Sequence, residues 1–268
     1  MKQAVFFSMT LLVMLSCNKN ETLSELKPTE NDSFQDTVLE YEKLAKPILF
    51  EYTSTGCPGC GSWGKPTFYS LINENKDNIV PLAIHIKYGD PMITSISEAI
   101  AANSYGNLYT PQIWLNDSNG VVLSGGYISG RTSIDYINAM KENALSSSNA
   151  VIDGKVVKKG NSSIYIKTGI KQSETFLNGE YFLSCYLLND SLIHDQSNSA
   201  VNPAIHNYVI RKAVDDYAWG KQIQFIDGKF EFKYEFKNYE ANKMVYFVSI
   251  LWKKENNRYV PKGAFRFE

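Results

Sequence analysis

Phe50-Glu51-Tyr52-Thr53-Ser54-Thr55-Gly56-Cys57-Pro58-Gly59-Cys60 decides how the rest of the chain is read. An apolar run leads directly into two cysteines with two residues between them. At a strand-to-helix junction such a pair can close a small disulfide. The first sulfur then sits where unpaired backbone N–H groups and the helix dipole favour a thiolate. The same spacing equally describes half of a zinc site, so the surroundings decide its meaning.

Upstream, Pro47 leads into Ile48 to Tyr52, a short run that fits a buried strand, whereas Val38 to Lys46 is ambiguous between strand and helix. Downstream, Gly61, Ser62 and Gly64 make a poor first helical turn. Pro66 can restart the helix, with Phe68, Leu71 and Ile72 on one face. Ile79 to Lys87 reads as a second strand. Ser95 and Glu98 have capping-box spacing ahead of a helical run through Ile96, Ala99 and Ile100. Gln112 to Leu115 and Val121 to Leu123 flank a hairpin turn at Asn116-Asp117-Ser118-Asn119-Gly120. Thr132 or Ser133 can cap a last helix through Ile134, Ile137, Met140 and Ala144. The order is βαβαββα.

That order, with Cys-Pro-Gly-Cys at the first strand-to-helix junction, resembles the thioredoxin fold. Glu51 stands six residues before Cys57, where thioredoxins carry a buried acid. Thr110-Pro111 opens the third strand, where the family has a cis-proline facing the cysteines, and Gly120 and Gly126 fall near family glycines. The resemblance implies Cys57 as the attacking thiol and Cys60 as the resolving thiol, joined in a Cys57–Cys60 disulfide. It makes Glu51 a proton relay to Cys60 whose pKa burial would raise, and Pro111 a cis residue that frees the Thr110 backbone to bind an extended substrate. Two departures stand out. Gly56 replaces the aromatic that classical thioredoxins carry before the first cysteine, and Trp63, three residues after the second, either covers the site or packs. Pro58-Gly59 matches neither the reducing nor the strongly oxidising dipeptides, so the direction of exchange is not written in the loop.

The N-terminus is read as a targeting segment. Met1-Lys2 precedes an apolar run from Ala4 to Leu15, too short to span a bilayer and suited to a signal peptide. It ends in Met14-Leu15-Ser16-Cys17, which resembles a bacterial lipobox with Met14 where Leu is usual. Residues 1–17 are thus expected to be a lipoprotein signal with Cys17 the lipidated residue, and 18–36 a polar tether. The lipid would hold the protein on a membrane without a spanning helix. Asn-Lys-Asn-Glu-Thr after Cys17 lacks an acidic run, which leans the expectation toward the periplasmic rather than the surface face.

After the linker signal at Ser146-Ser147-Ser148-Asn149 the patterning changes. Phe230, Phe232, Tyr234 and Phe236 alternate with charged residues, as in a half-buried strand. Tyr181 to Leu188, Val245 to Trp252 and Ser163 to Lys167 are further strand runs, separated by turn signals at Asp153-Gly154, Asn178-Gly179 and Asp227-Gly228. The expected architecture is a thioredoxin-like α/β domain over 37–148 followed by an all-β, sandwich-like domain over 150–268. Cys185 reads as an inert core thiol. His85, His194 and His206 are too scattered, without a second ligand pair, to argue for zinc, and neither metal nor cofactor is expected.

Ala204-Ile205-His206-Asn207-Tyr208-Val209-Ile210-Arg211, followed by Trp219-Gly220, resembles a segment of a Bacteroidetes outer-membrane lipoprotein family of the adhesin-like 28-kDa type. That resemblance implies a thioredoxin-like domain joined to a β-sandwich, and an outer-membrane location. It assigns no chemistry to His206, Asn207 or Arg211, which on structural grounds could satisfy backbone groups between strands. With 268 residues, 44% of them hydrophobic, and a net charge of −1, the chain can bury a large core and has no electrostatic footprint for nucleic acid. Two functions are expected from these features. The first is thiol–disulfide exchange on envelope proteins through Cys57 and Cys60. The second is a non-catalytic, adhesin-like lipoprotein in which the disulfide is structural.

Overall fold

The structure, a computed structural model, describes residues 37–87, 89–104, 109–119, 127–128, 131–132, 150–160, 162–173, 179–239 and 244–268. The signal segment, Cys17, the tether, the strand at Val121 to Leu123, Gly120, Gly126, the helix expected after Ser133 and the linker at 146–149 lie outside them.

Strand β1 (Ile48–Thr53) is buried at all six positions, as its apolar run requires. It pairs in parallel with β2 (Val80–His85) and antiparallel with β3 (Gln112–Leu115), which turns through Asn116-Asp117 into the short β4 (Ser118–Asn119). Between β1 and β2 runs one helical stretch. It begins at Pro58-Gly59, passes through a π-turn at Cys60–Gly64 and continues as α1 (Lys65–Asn75). The wide turn, in which the Lys65 N–H donates to the Cys60 carbonyl, carries the chain past Pro66 without a break. Helix α2 (Ser95–Asn103) begins one residue earlier than its sequence signal suggests. Thr94 and Ser97 form the capping box, each side-chain oxygen accepting from the other's backbone N–H, and Glu98 takes no part in it. A small hairpin, β5 (Tyr127–Ile128) and β6 (Arg131–Thr132), follows.

The remaining chain is strand: β7 (Val151–Lys159), β8 (Ser163–Lys171), β9 (Glu180–Asp190), β10 (Leu192–His194), β11 (Ala204–His206), β12 (Val209–Ala213), β13 (Lys221–Gln222), β14 (Lys229–Lys237), β15 (Met244–Glu255) and β16 (Arg258–Phe267). Asp227 and Gly228, both with positive φ, form the expected turn before β14. Asp153-Gly154 is no turn: both residues lie inside β7, where Gly154 lets the ring of Phe267 approach so closely that a Cβ would sit 2.5 Å from it. Residues 38–46 are neither helix nor full strand. They meet the sheets through bridges from Leu44 to Val151 and from Lys46 to Ala264, and through side-chain bonds from the Glu40 and Tyr41 N–H groups to Asp153 and from the Tyr41 hydroxyl to Glu231.

One mixed sheet runs through both halves of the chain, in the order β16-β15-β9-β12-β2-β1-β3-β4, with β13 added onto β9. Its continuity rests on β12 lying parallel to β2, where Val209 faces Ala83 and the Ala83 N–H donates to the Tyr208 carbonyl at 2.8 Å. β2 is buried at every position and is an interior strand, not a sheet edge. The sheet therefore crosses the point near 150 where the sequence pattern changes. Even residues of β1, β9 and β15 (Phe50, Tyr186, Trp252) pack with α2 and Trp219 on one face. On the other face α1 covers Leu49 and Ile113, and the three-stranded sheet β14-β8-β7 covers Leu187 and Phe247 through Ile164, Ile166 and Phe236.

Candidate functional site

The end of β1 builds the site. After Thr53 the chain turns at the buried Ser54, whose carbonyl accepts from the Cys57 N–H at 3.2 Å, and the helix begins at residue 58. Cys57 and Cys60 are joined in a disulfide with their Cα atoms 5.2 Å apart. The Cys60 N–H points at Cys57 Sγ from 3.1 Å, the backbone donor expected for a sulfur at a helix N-terminus. Thr110–Pro111 is a cis peptide, and the Thr110 carbonyl oxygen lies 3.4 Å from Cys57 Sγ. Pro111 also packs on the helix start: a Cβ on Gly59 would stand 3.1 Å from its Cδ, and one on Gly64 2.5 Å from its Cβ. Thr110 Oγ1 is buried and has no hydrogen-bond partner among the described residues. Trp63 is half-buried against the Leu49, Phe68 and Ile113 cluster, with its Nε1 beside Gly59.

Glu51 is buried on the α1 face of β1, and its Oε1 has no hydrogen-bond partner among the described residues. Burial pushes its carboxyl up to about 7, against the opposing pull of the Lys65 ammonium and a hydrogen bond with Thr53. The Lys65 ammonium, itself partly buried, donates to the Ile205 carbonyl.

Around this centre lies a polar ring that local sequence did not announce. His85 Nδ1 and Asp90 Oδ2 are 2.7 Å apart and buried, and the same Asp90 oxygen accepts from the Thr55 N–H at 2.8 Å. Burial raises the Asp90 pKa, but the His85 contact and the Met92 and Thr55 N–H groups outweigh it and leave it lowered. The His206 ring lies 5.4 Å from that of His85, and burial together with the charge of Lys65 lowers its pKa to about 3. Gln196, 2% exposed, donates from Nε2 to the carbonyls of Ser54, Thr55 and Cys57 at 3.1, 3.2 and 3.2 Å. A groove of about 640 Å³ opens beside it, between Lys65, Pro66 and Tyr69 of α1 and the exposed Val201 and Ile205.

The structure does not bring every marked residue to this centre. Asn207 accepts from the Ser191 N–H through Oδ1 and Arg211 donates to the Met92 carbonyl, so both satisfy backbone groups between elements. Cys185 is fully buried in the core, where burial pushes its thiol up to about 12. His194 lies on β10, half-buried. Among the described residues no group of three or more His, Cys, Asp or Glu side chains could hold a metal ion. Gln196 and Asp90 were missed because no local pattern ties them to Cys57; the Asn202-Pro203 turn beside Gln196 was the available signal.

Fold and site together define a mixed-sheet protein that carries a two-residue-loop disulfide at a helix N-terminus, faced by a cis-proline. No protein-family profile and no curated protein matches the chain. Its fold is similar to that of HBP35 of Porphyromonas gingivalis, with 16% identity and a TM-score of 0.68 over 84% of this chain and 75% of that one. A domain of the outer membrane lipoprotein Omp28 from the same organism aligns at 15% identity over 44% of this chain and 86% of the domain, with a TM-score of 0.31 too low to bear on the fold.

Proposed function

We propose that the protein is a lipid-anchored thiol–disulfide exchange protein of the bacterial outer membrane, acting on the cysteines of envelope proteins. The observation that carries this reading is the environment of Cys57 Sγ, which receives the Cys60 N–H at 3.1 Å and faces the cis Thr110–Pro111 peptide. A structural staple needs neither, and a disulfide closing so short a loop adds little chain-entropy stability. Residues 37–148 act as a thioredoxin-like unit and 150–268 as a sandwich-like partner within the shared sheet. The lipid on Cys17 and the tether over 18–36 set the protein on the membrane, with the periplasmic face favoured.

From the disulfide state, a substrate thiolate attacks Cys57 Sγ in line with the Cys57–Cys60 bond. A substrate–Cys57 mixed disulfide forms, and Cys60 leaves as a thiolate. Glu51, protonated below about pH 7, supplies the proton that makes Cys60 a thiol. A second substrate thiolate then attacks the substrate sulfur of the mixed disulfide, forming a substrate disulfide and releasing Cys57, whose anion the Cys60 N–H stabilises. The substrate is oxidised by two electrons and the protein reduced by two. The reverse sequence reduces a substrate disulfide. The Thr110 backbone binds the substrate chain, and Trp63 borders it.

A second reading has an observation in its favour. Cys57 is only 4% exposed, as suits a structural disulfide in a non-catalytic, adhesin-like lipoprotein. The reduction potential separates the two. Full-length protein in detergent is equilibrated with glutathione, free thiols are alkylated, and Cys57→Ser serves as control. A potential between roughly −120 and −270 mV is expected for exchange, whereas one well below about −300 mV marks a structural bridge and overturns the reading.

A further inference from the structure

β10 and β11 form a two-stranded ribbon outside the main sheet, and the loop between them reaches back over the cysteine loop. Gln196 in that loop supplies the buried amide that spans the carbonyls of Ser54, Thr55 and Cys57, although it lies 139 residues from Cys57 in sequence. The Ser197 N–H adds a bond to the Thr55 carbonyl at 2.8 Å. Gln196 is fixed from behind, because its own N–H donates to Asn202 Oδ1 at 2.8 Å. From the opposite side Asp90 holds the Thr55 N–H. The strap also lies directly on the turn after Cys60: a Cβ on Gly61 would come within 2.1 Å of the Ser197 carbonyl oxygen.

The carbonyls of Ser54, Thr55 and Cys57, just before and at the nucleophilic cysteine, thus share the two N–H hydrogens of one side chain. Without that donor each carbonyl keeps only backbone partners: the Cys57 N–H for Ser54, the Ser197 N–H for Thr55, and the Cys60 and Gly61 N–H groups for Cys57. The loop then loses the one side chain that joins all three. The tightness of the disulfide depends on how well the chain keeps Cys57 against Cys60 when both are thiols. A clamped loop has little entropy to lose on closing, whereas a loose one disfavours the bond and exposes Cys57.

We propose that Gln196 is a positioning residue for thiol–disulfide exchange. Its amide holds the Cys57 loop in the geometry that pairs Cys57 with Cys60 and limits the access of Cys57 once the bond is open. This inference rests on the exchange reading above and adds to it a determinant from the far half of the chain.

The test uses the reduced full-length protein, alkylated with iodoacetamide for timed intervals, with the peptide of each cysteine quantified by mass. Cys185 serves as an internal reporter of global opening, since it is fully buried. In Gln196→Ala, Cys57 is expected to label about tenfold faster with Cys185 unchanged. The glutathione equilibrium is expected to move about tenfold toward the dithiol, or about 30 mV less negative. Gln196→Glu keeps the size of the side chain but, ionised, turns acceptor oxygens toward the three carbonyls, and at pH 8 and above is expected to loosen the loop at least as much as Gln196→Ala. The proposal is overturned if Cys57 labelling is unchanged in Gln196→Ala. It is equally overturned if Cys57 and Cys185 accelerate together, or if Gln196→Glu behaves as the wild type. The two failures stay separate: the wild-type potential decides the exchange reading, and the ratio of variant to wild type decides the role of Gln196.

Discussion

At the residue scale the most consequential group after the cysteines is Glu51, a carboxyl with one oxygen unpartnered among the described residues beneath the helix that carries Cys60. Its pKa rises from 4.5 to about 7. Between those values the native state keeps a proton that the unfolded chain has released, so the contribution of Glu51 to stability is most favourable below 4.5 and falls as pH rises to about 7. Thermal or urea unfolding across pH 4 to 8 is expected to show wild type losing stability relative to Glu51→Gln as pH rises from 4.5 to about 7. The variant should be more stable than the wild type at pH 8 by up to roughly 3 kcal/mol. His206, whose pKa is lowered to about 3, makes stability rise with pH over part of the same range. The difference between wild type and Glu51→Gln is therefore what isolates Glu51, and a difference that does not change with pH would contradict the assignment. If Glu51 also supplies the proton to Cys60, exchange rates in Glu51→Gln should fall by about 10²-fold or more and lose their inflection near pH 7, in line with the usual worth of a positioned acid. The six-residue spacing from Glu51 to Cys57 made this acid legible in the sequence. Gln196 was not legible, because an isolated glutamine acquires meaning only from what it faces.

At the element scale, the start of the helix explains how an awkward stretch of sequence is tolerated. Gly61 and Gly64 are poor helix formers, yet each sits where a side chain has no room, under Ser197 and against Pro111 respectively. The π-turn absorbs Pro66 in the same few residues. Gly64→Ala would raise helix propensity but drive a methyl into the Pro111 ring. It is expected to destabilise by about 1–3 kcal/mol, whereas Gly160→Ala, with no atom nearer than 3.4 Å to its added methyl, should stay within about 0.5 kcal/mol. Denaturant unfolding measures both; a stabilised Gly64→Ala would show that propensity outweighs the contact. The sequence signalled a weak first turn correctly, but not its cause, since the crowding comes from residues far along the chain.

At the scale of the whole molecule, the shared sheet makes the two halves depend on each other. Phe50 of β1 stacks on Trp252 of β15 with ring centroids 6.5 Å apart, inside a core that also holds Ile84, Tyr186 and Tyr246. Unfolding is therefore expected as one transition, coincident by near- and far-ultraviolet circular dichroism. Trp252→Ala, at a side chain with 1% exposure, should cost about 3–5 kcal/mol and lower that single transition as a unit. Two separated transitions, with only the later-melting one shifted, would instead mark independent domains.

By itself the sequence determined what depends on neighbours along the chain. Period-two alternation specified β14, apolar runs specified β1, β9 and β15, and the short spacing of Cys57 and Cys60 made their pairing possible. Such features follow from local sterics and from which face of a segment can be buried. The tertiary structure alone decided that β12 joins β2, that Gly154 serves a ring contact and not a turn, and that Gln196 reaches the cysteine loop. Each of these is a pairing of groups far apart in the chain. Their partners are selected by the packing of the assembled sheet, which no single stretch of residues encodes.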